Sequence, residues 1–359
     1  MGNIEYQSGY RRLSHACSAF ILKALLLSTW PHGPWEQPVS DKHSQDVDAT
    51  AAFLFQAGAS QLPHARGLTL LDHLLETRAV IRRWALPLFL QDSAALHSIY
   101  GTDVYHRQLL SIADRREVRE TVGATAERLA YLFCTIPRYA FFKTVDGCDR
   151  LPDTASFTLQ VEGHTELEDL SSDEISSLLV LHLANTAEQA CDDSGAPGLW
   201  LSRASRRAAK LPPVSTLIPP IFSACTAIVD PESERQARAS YLAGTNEAGQ
   251  ADVGFAYFVE TDELCPWVGE PLVWLGYQAL IQDRRADACR LLGEARERFA
   301  ALGTAWDKRL AYDGWLSLIT CMENLASRVS NVELPTLDMT LPDDALRALA
   351  SCAAYAATQ

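Results

Sequence analysis

Apolar residues recurring at helical spacing, cut at short intervals by proline and glycine, restrict this chain to a bundle of helices. The clearest case begins at Thr69, a residue able to cap a helix. That helix carries Leu70, Leu71, Leu74, Leu75, Val80, Ile81 and Trp84, with polar residues between them. Pro87 lacks an amide proton and forces a restart at about Leu88. The next helix, Leu88 to His97, is apolar on most sides and should be buried, ending before Gly101.

The same reading extends along the chain. A helix is expected over about Tyr10 to Thr29, followed by a polar surface run from Glu36 to Asp48. Thr50 to Gln61 follows, ended by Pro63, and then Asp114 to Val122 and Thr125 to Phe133, broken at Gly123. Residues 139 to 170 lose the helical period, and the alternation Phe157-Thr158-Leu159-Gln160-Val161 suggests a short hairpin. Ser171 with Glu174 forms a capping box for a helix running to about Cys191. The glycine and proline cluster at 192–198, with Pro212, Pro213, Pro219 and Pro220 beyond it, marks a domain boundary. Past it, Glu270 to Gln282 and Ala286 to Leu302 read as an antiparallel helix pair with Ala279 and Ala288 near the crossing. A third helix at about Lys308 to Ser327 and a short one near Asp343 to Ala356 complete the chain. The expectation is an all-α fold: an N-terminal helix and loop (1–49), a helical body (50–200), a linker (201–224), a second helical region (225–330) and a tail (331–359).

The formal net charge of −14 repels phosphate backbones and anionic lipid headgroups, so neither a nucleic-acid nor a membrane-surface role is supported. The apolar run Ala19 to Trp30 contains Lys23 and is too short to span a bilayer. Nine cysteines, odd in number and without a Cys-x-x-Cys pair, fit reduced thiols in a cytoplasmic protein. Phosphate loops, His-Glu-x-x-His and Gly-x-Ser-x-Gly are absent from the sequence. Cys134 sits in an apolar Leu-Phe-Cys run that reads as core, and Arg203, Arg206, Arg207 and Lys210 form a stripe that reads as a solvated face.

What stands out is a histidine placed among leucines, His73, and a second, His97, before a glycine turn. A buried imidazole must be hydrogen-bonded, metal-bound or turned outward. The 24-residue spacing (97 − 73), followed by Leu181-His182-Leu183-Ala184-Asn185, resembles the HD superfamily of metal-dependent phosphohydrolases, particularly the hydrolase domain of bacterial alarmone enzymes. Ser98 and Asn185 stand where that pattern has aspartates. More closely, Pro63-His64-Ala65-Arg66, Leu70-Leu71-Asp72-His73, His97-Ser98-Ile99-Tyr100-Gly101-Thr102-Asp103 and Glu127 to Phe133 resemble an uncharacterised family within it. Residues 255 to 328, through Gly303 to Arg309 and Trp315, are similar to a tetratricopeptide-like segment.

That resemblance implies an HD-like bundle joined to tetratricopeptide-like helices, and a degenerate histidine pocket acting on a small molecule. Within it, His73, His97, Tyr100 and Asp103 are the candidate catalytic residues, and Arg66, Ser98, Asn185 and Arg107 the candidate substrate contacts. A divalent ion, Fe, Mn or Zn, would draw on His64, His73, His97 and His182, because Ser98 and Asn185 are neutral. Hydrolysis of an anionic or phosphorylated metabolite is the leading expectation. An iron-dependent HD-type oxygenase and a non-catalytic binding or scaffold protein are the alternatives, and the C-terminal helices could hold a protein partner.

Overall fold

The Thr69 hydroxyl accepts the Asp72 amide while the Asp72 carboxylate accepts that of Thr69, a reciprocal cap that starts the first long helix. The computed structural model describes residues 49–152, 156–161, 167–213, 215–224, 229–246, 251–327 and 333–356. The helix expected at Tyr10 to Thr29 lies outside them. The described residues hold 15 α-helices and one two-stranded sheet, so the fold is all-α. None of those helices is long and apolar enough to cross a membrane.

In chain order the first helices are α1 (Ala49–Gln56), α2 (Leu70–Arg83), α3 (Leu88–Leu96), α4 (Arg115–Val122), α5 (Ala124–Thr135) and α6 (Arg138–Gly147). Strands β1 (Ser156–Gln160) and β2 (Leu167–Ser171) pair antiparallel in the expected region, Phe157 opposite Leu170. They lead into α7 (Ser172–Gln189), begun by the Ser171–Glu174 capping box. Helix α2 packs against α3 and α7, α5 leans on α3, and Leu70, Leu74, Ile81, Leu96 and Leu179 are fully buried among them. The expected Thr50–Gln61 helix stops early because Gly58, at φ 89°, turns the chain into a 3-10 turn. Helix α6 falls where the sequence shows no period. Pro137 precedes its first turn, and Phe141 and Val145 are its buried contacts.

Beyond it come α8 (Leu201–Ala208), α9 (Pro220–Ala224), α10 (Pro231–Asn246), α11 (Ala251–Leu264), α12 (Glu270–Ile281), α13 (Arg285–Leu302), α14 (Tyr312–Ser327) and α15 (Pro342–Ala356). Consecutive helices pair: α10 with α11, α12 with α13, α14 with α15. Gly276 lets α12 approach α13, since a Cβ there would lie 2.9 Å from the Leu292 side chain. The segment read as a linker contains α8, whose first amides (Trp200, Leu201 and Ser202) donate to the buried Glu234 carboxylate at 2.6, 2.7 and 2.9 Å. A carboxylate at a helix N-terminus satisfies free amides and complements the helix dipole. The described residues cluster as one compact unit. Contacts cross the expected boundary: the Trp84 indole donates to the Leu302 carbonyl (3.0 Å), and Arg83 reaches the Gly303 carbonyl (3.1 Å) and stacks over Tyr312.

Candidate functional site

Helical spacing on α2 and the end of α3 brings His73 and His97 together, each about 1% exposed, with their Nε2 atoms 3.0 Å apart. His97 Nδ1 faces the Ala94 carbonyl at 2.7 Å, an acceptor, so the proton sits on Nδ1 and Nε2 keeps its lone pair. Burial, reinforced by the charge of His73, holds the His97 pKa well below its ordinary value. His73 Nε2 therefore donates to His97. On its other side, His73 Nδ1 lies 2.6 Å from Glu188 Oε2, while Arg66 Nη2 reaches Glu188 Oε1 at 3.1 Å. Burial alone would favour the neutral acid. The His73 hydrogen bond and the charges of His73, Lys308 and Arg66 outweigh it and lower the Glu188 pKa.

Around this pair, His64 stacks flat on His73 with centroids 4.1 Å apart, and Tyr105 tilts against His64 at 5.2 Å. Partial burial, then the charge of His73, lowers the His64 pKa to about 4. Gln189 Nε2 lies 3.4 Å from His73 Nε2. The Asn185 Oδ1 atom is buried with no hydrogen-bond partner, one turn from Glu188 on the same face of α7. Lys308, from the loop before α14, donates to Thr304 and Ala305, and its amide donates to the Gly195 carbonyl at 2.8 Å. Burial lowers its pKa to about 8.

Several expected members stand elsewhere. Tyr100 donates to Glu127 (3.2 Å), a fully buried carboxylate that Arg115 and Arg119 also hold, so its hydroxyl belongs to a structural ion cluster. Asp103 accepts the Arg138 amide at 2.8 Å and serves as a cap for α6. His182 is separated from the histidine pair by Phe133, whose ring lies 4.9 Å from His97 and 4.1 Å from His182; Phe141 and Phe142 complete its surround. It does not join a four-histidine cluster, because the imidazole is stacked among aromatic rings. Ser98 is buried and its carbonyl accepts the Gly101 amide; among the described residues no hydrogen bond joins its hydroxyl to either histidine. Arg107 is exposed, and among the described residues no hydrogen bond or ion pair ties it to the histidines. Arg66 is adjacent to the pair, but as the ion partner of Glu188. Cys134 is core: its thiol donates to the His97 carbonyl, and burial raises its pKa to about 12.

Glu188 and Gln189 were not among the sequence candidates. The signal was present, since positions 182, 185, 188 and 189 share one face of α7. The donor set tests the metal expectation. Among the described residues no group of three or more His, Cys, Asp or Glu side chains is placed to hold an ion. Manganese and magnesium sites rely on anionic oxygens, and the one carboxylate here is turned to the Nδ1 side of His73, so the residues do not fit such an ion.

Two cavities bear on access. One of about 360 Å³ is walled by Arg138, His182, Thr186, Gln189, Arg203 and Arg207 with apolar residues between them, and Gln189, whose Nε2 lies 3.4 Å from His73 Nε2, stands between it and the pair. A larger one, about 950 Å³, lies at the other end of α7 beside Ser172, Ser176 and Ser177, away from the histidines. Residues 53–138 match the model of a domain of unknown function, DUF6817. That is 86 of 359 residues (138 − 53 + 1), under a quarter of the chain. Neither a curated protein nor a solved structure matches the chain.

Proposed function

We propose that this chain is an enzyme acting on a small anionic molecule, with His73 exchanging protons with the substrate and His97 and Glu188 positioning it. The observation carrying the reading is the buried 3.0 Å contact between the two Nε2 atoms with both Nδ1 atoms fixed, by Ala94 and by Glu188. Such a pair has a defined proton order, with His97 Nε2 left as an acceptor facing His73, which suits general acid and base catalysis. Substrate reaches His73 from the 360 Å³ cavity by displacing the Gln189 amide. Hydrolysis of a phosphorylated or otherwise anionic metabolite, the reaction class implied by the HD-like resemblance, suits this arrangement. Cys134, Cys148, Cys191, Cys289, Cys321 and Cys352 are free thiols, which supports a reducing, cytoplasmic setting.

The test is turnover of a panel of phosphate esters and carboxylate-bearing esters and amides by the purified chain. His73→Gln should lower turnover at least about 100-fold while the fold persists by circular dichroism. Absence of turnover on the whole panel, with and without added iron, zinc or manganese, would discard the enzyme in favour of a ligand-binding protein.

A second reading has its own support. Imidazoles anchored through Nδ1 with Nε2 atoms facing one another are how proteins present ligands to a metal. The neutral donors at hand, two imidazoles with the Asn185 and Gln189 amides beside them, favour zinc or iron over manganese. Elemental analysis decides: near-stoichiometric zinc or iron supports a metal-assisted hydrolase or an oxygenase, and a metal-free active protein leaves the imidazole pair alone.

A further inference from the structure

Arg138 is the least satisfied cation among the described residues near the histidines. It is partly buried at the start of α6, its Nε has no hydrogen-bond partner, and among the described residues no carboxylate is in ion-pair contact with its guanidinium. Asp103 acts on it only from a distance, its carboxylate being engaged by the Arg138 main-chain amide. Holding an unpaired cation away from water is costly, and proteins usually relieve the cost with a counter-charge. The cavity beside it supplies more cations. Arg203 makes no ion pair among the described residues, and Arg207 is fixed by a two-pronged contact to Asp146 (3.1 and 2.9 Å) and lies 3.4 Å over the Phe142 ring. The residues lining this cavity include three arginines and no aspartate or glutamate. His182 and Thr186 add polar atoms to the same wall. The whole chain carries net −14, so an acid-free, arginine-lined cleft stands out against its surroundings.

We propose that this cleft binds the phosphate group of a small phosphorylated metabolite, with Arg138 and Arg203 as its principal ligands and Arg207 as a fixed neighbouring charge. Guanidinium groups present paired N–H donors that match the oxygens of a tetrahedral anion. A cavity of about 360 Å³ is at the small end for ligand sites, which limits the occupant to a compact metabolite. The inference deepens the reading of the histidine pair, since Gln189 belongs to both. It stands on separate residues, however, and can fail separately.

The experiment is thermal unfolding of the full chain in inorganic phosphate, compared with chloride at equal ionic strength and with malonate, for the wild type and for Arg138→Met, Arg203→Gln and His73→Gln. Phosphate should raise the wild-type melting temperature by at least about 2 °C once its concentration is well above Kd, and by more than malonate does. Arg138→Met should melt higher than the wild type in chloride, because an unpaired charge has been removed, and should lose the phosphate increment. Arg203→Gln, at an exposed position, should keep the fold and halve the increment or more. His73→Gln should retain it, so loss of turnover there without loss of phosphate binding separates the two proposals. An equal rise in chloride and phosphate, or a phosphate increment preserved in Arg138→Met, overturns the assignment. A larger response to malonate than to phosphate also overturns it, in favour of a dicarboxylate site.

Discussion

Glu270, at the first turn of α12, is fully buried and accepts the amides of Trp306 and Asp307 on one oxygen, at 2.6 and 3.0 Å, while its second oxygen has no partner. Burial, aided by the Asp307 carboxylate and opposed by those amides, raises its pKa from 4.5 to about 7. A carboxyl that holds its proton more tightly when folded contributes stability that is complete below the unfolded value and is lost as pH rises through the folded one. The shift of about 2.5 units, at 1.36 kcal/mol per unit, corresponds to about 3 kcal/mol lost between about pH 4.5 and pH 8.5. Glu270→Gln keeps an oxygen for the two amides and removes the titration. The variant should therefore match the wild type within about 1 kcal/mol at the acid end and exceed it by about 3 kcal/mol at the alkaline end. For a unit of about 300 residues that is roughly 5 °C in Tm. Thermal melts of both proteins across this range are sufficient. Parallel curves, or a wild type that is the more stable at about pH 8.5, would refute the reasoning, because either result means Glu270 is ionised in the fold at no cost.

Two further substitutions test how the helices are tied. Gly303 closes α13 at φ 74°, and an added Cβ would lie 2.6 Å from the Trp84 indole nitrogen, so Gly303→Ala combines left-handed strain with displacement of a buried ring. It should cost about 3 kcal/mol in urea unfolding, and a loss under about 1 kcal/mol would show that Trp84 is not fixed there. Glu234→Gln replaces an acceptor of three amides with a group whose nitrogen would face the Ser202 N–H. A drop of about 3 kcal/mol is expected, and an unchanged Tm would mean that α8 is capped by water instead.

The helices around the histidines were legible because their boundaries are written in local chemistry: the Thr69 and Ser171 caps, Pro87, and glycines at 101 and 123. Helix α8 was not, because what holds its N-terminus is Glu234, more than thirty residues away. The site shows the same division. Residues 73 and 97 could be paired from their spacing, and the placement of both in the core follows from the apolar face each one interrupts. The direction in which Tyr100 and Asp103 point depends on Glu127 and on the start of α6, partners that no short-range pattern announces. Charge shows a further limit at Arg203 and Arg207: the stripe faces solvent, as its spacing suggests, with Arg203 exposed. That the same face also walls a cleft is decided by α6, which supplies Arg138 and Phe142 opposite Arg203 and Arg207.

The Trp84 indole hydrogen bond to Leu302 has a consequence for how the chain is made. Its two ends are 218 residues apart, so a ribosome that has finished α2 must add most of the remaining protein before the acceptor exists. At about 5–20 residues per second that is at least about ten seconds. Throughout it a large indole that is finally buried lacks its partner. Closing so long a loop is also slow compared with local helix formation. The first helices are thus synthesised early and completed late, and a chain truncated near residue 200 should display Trp84 as an adhesive patch for chaperones or for other copies of itself.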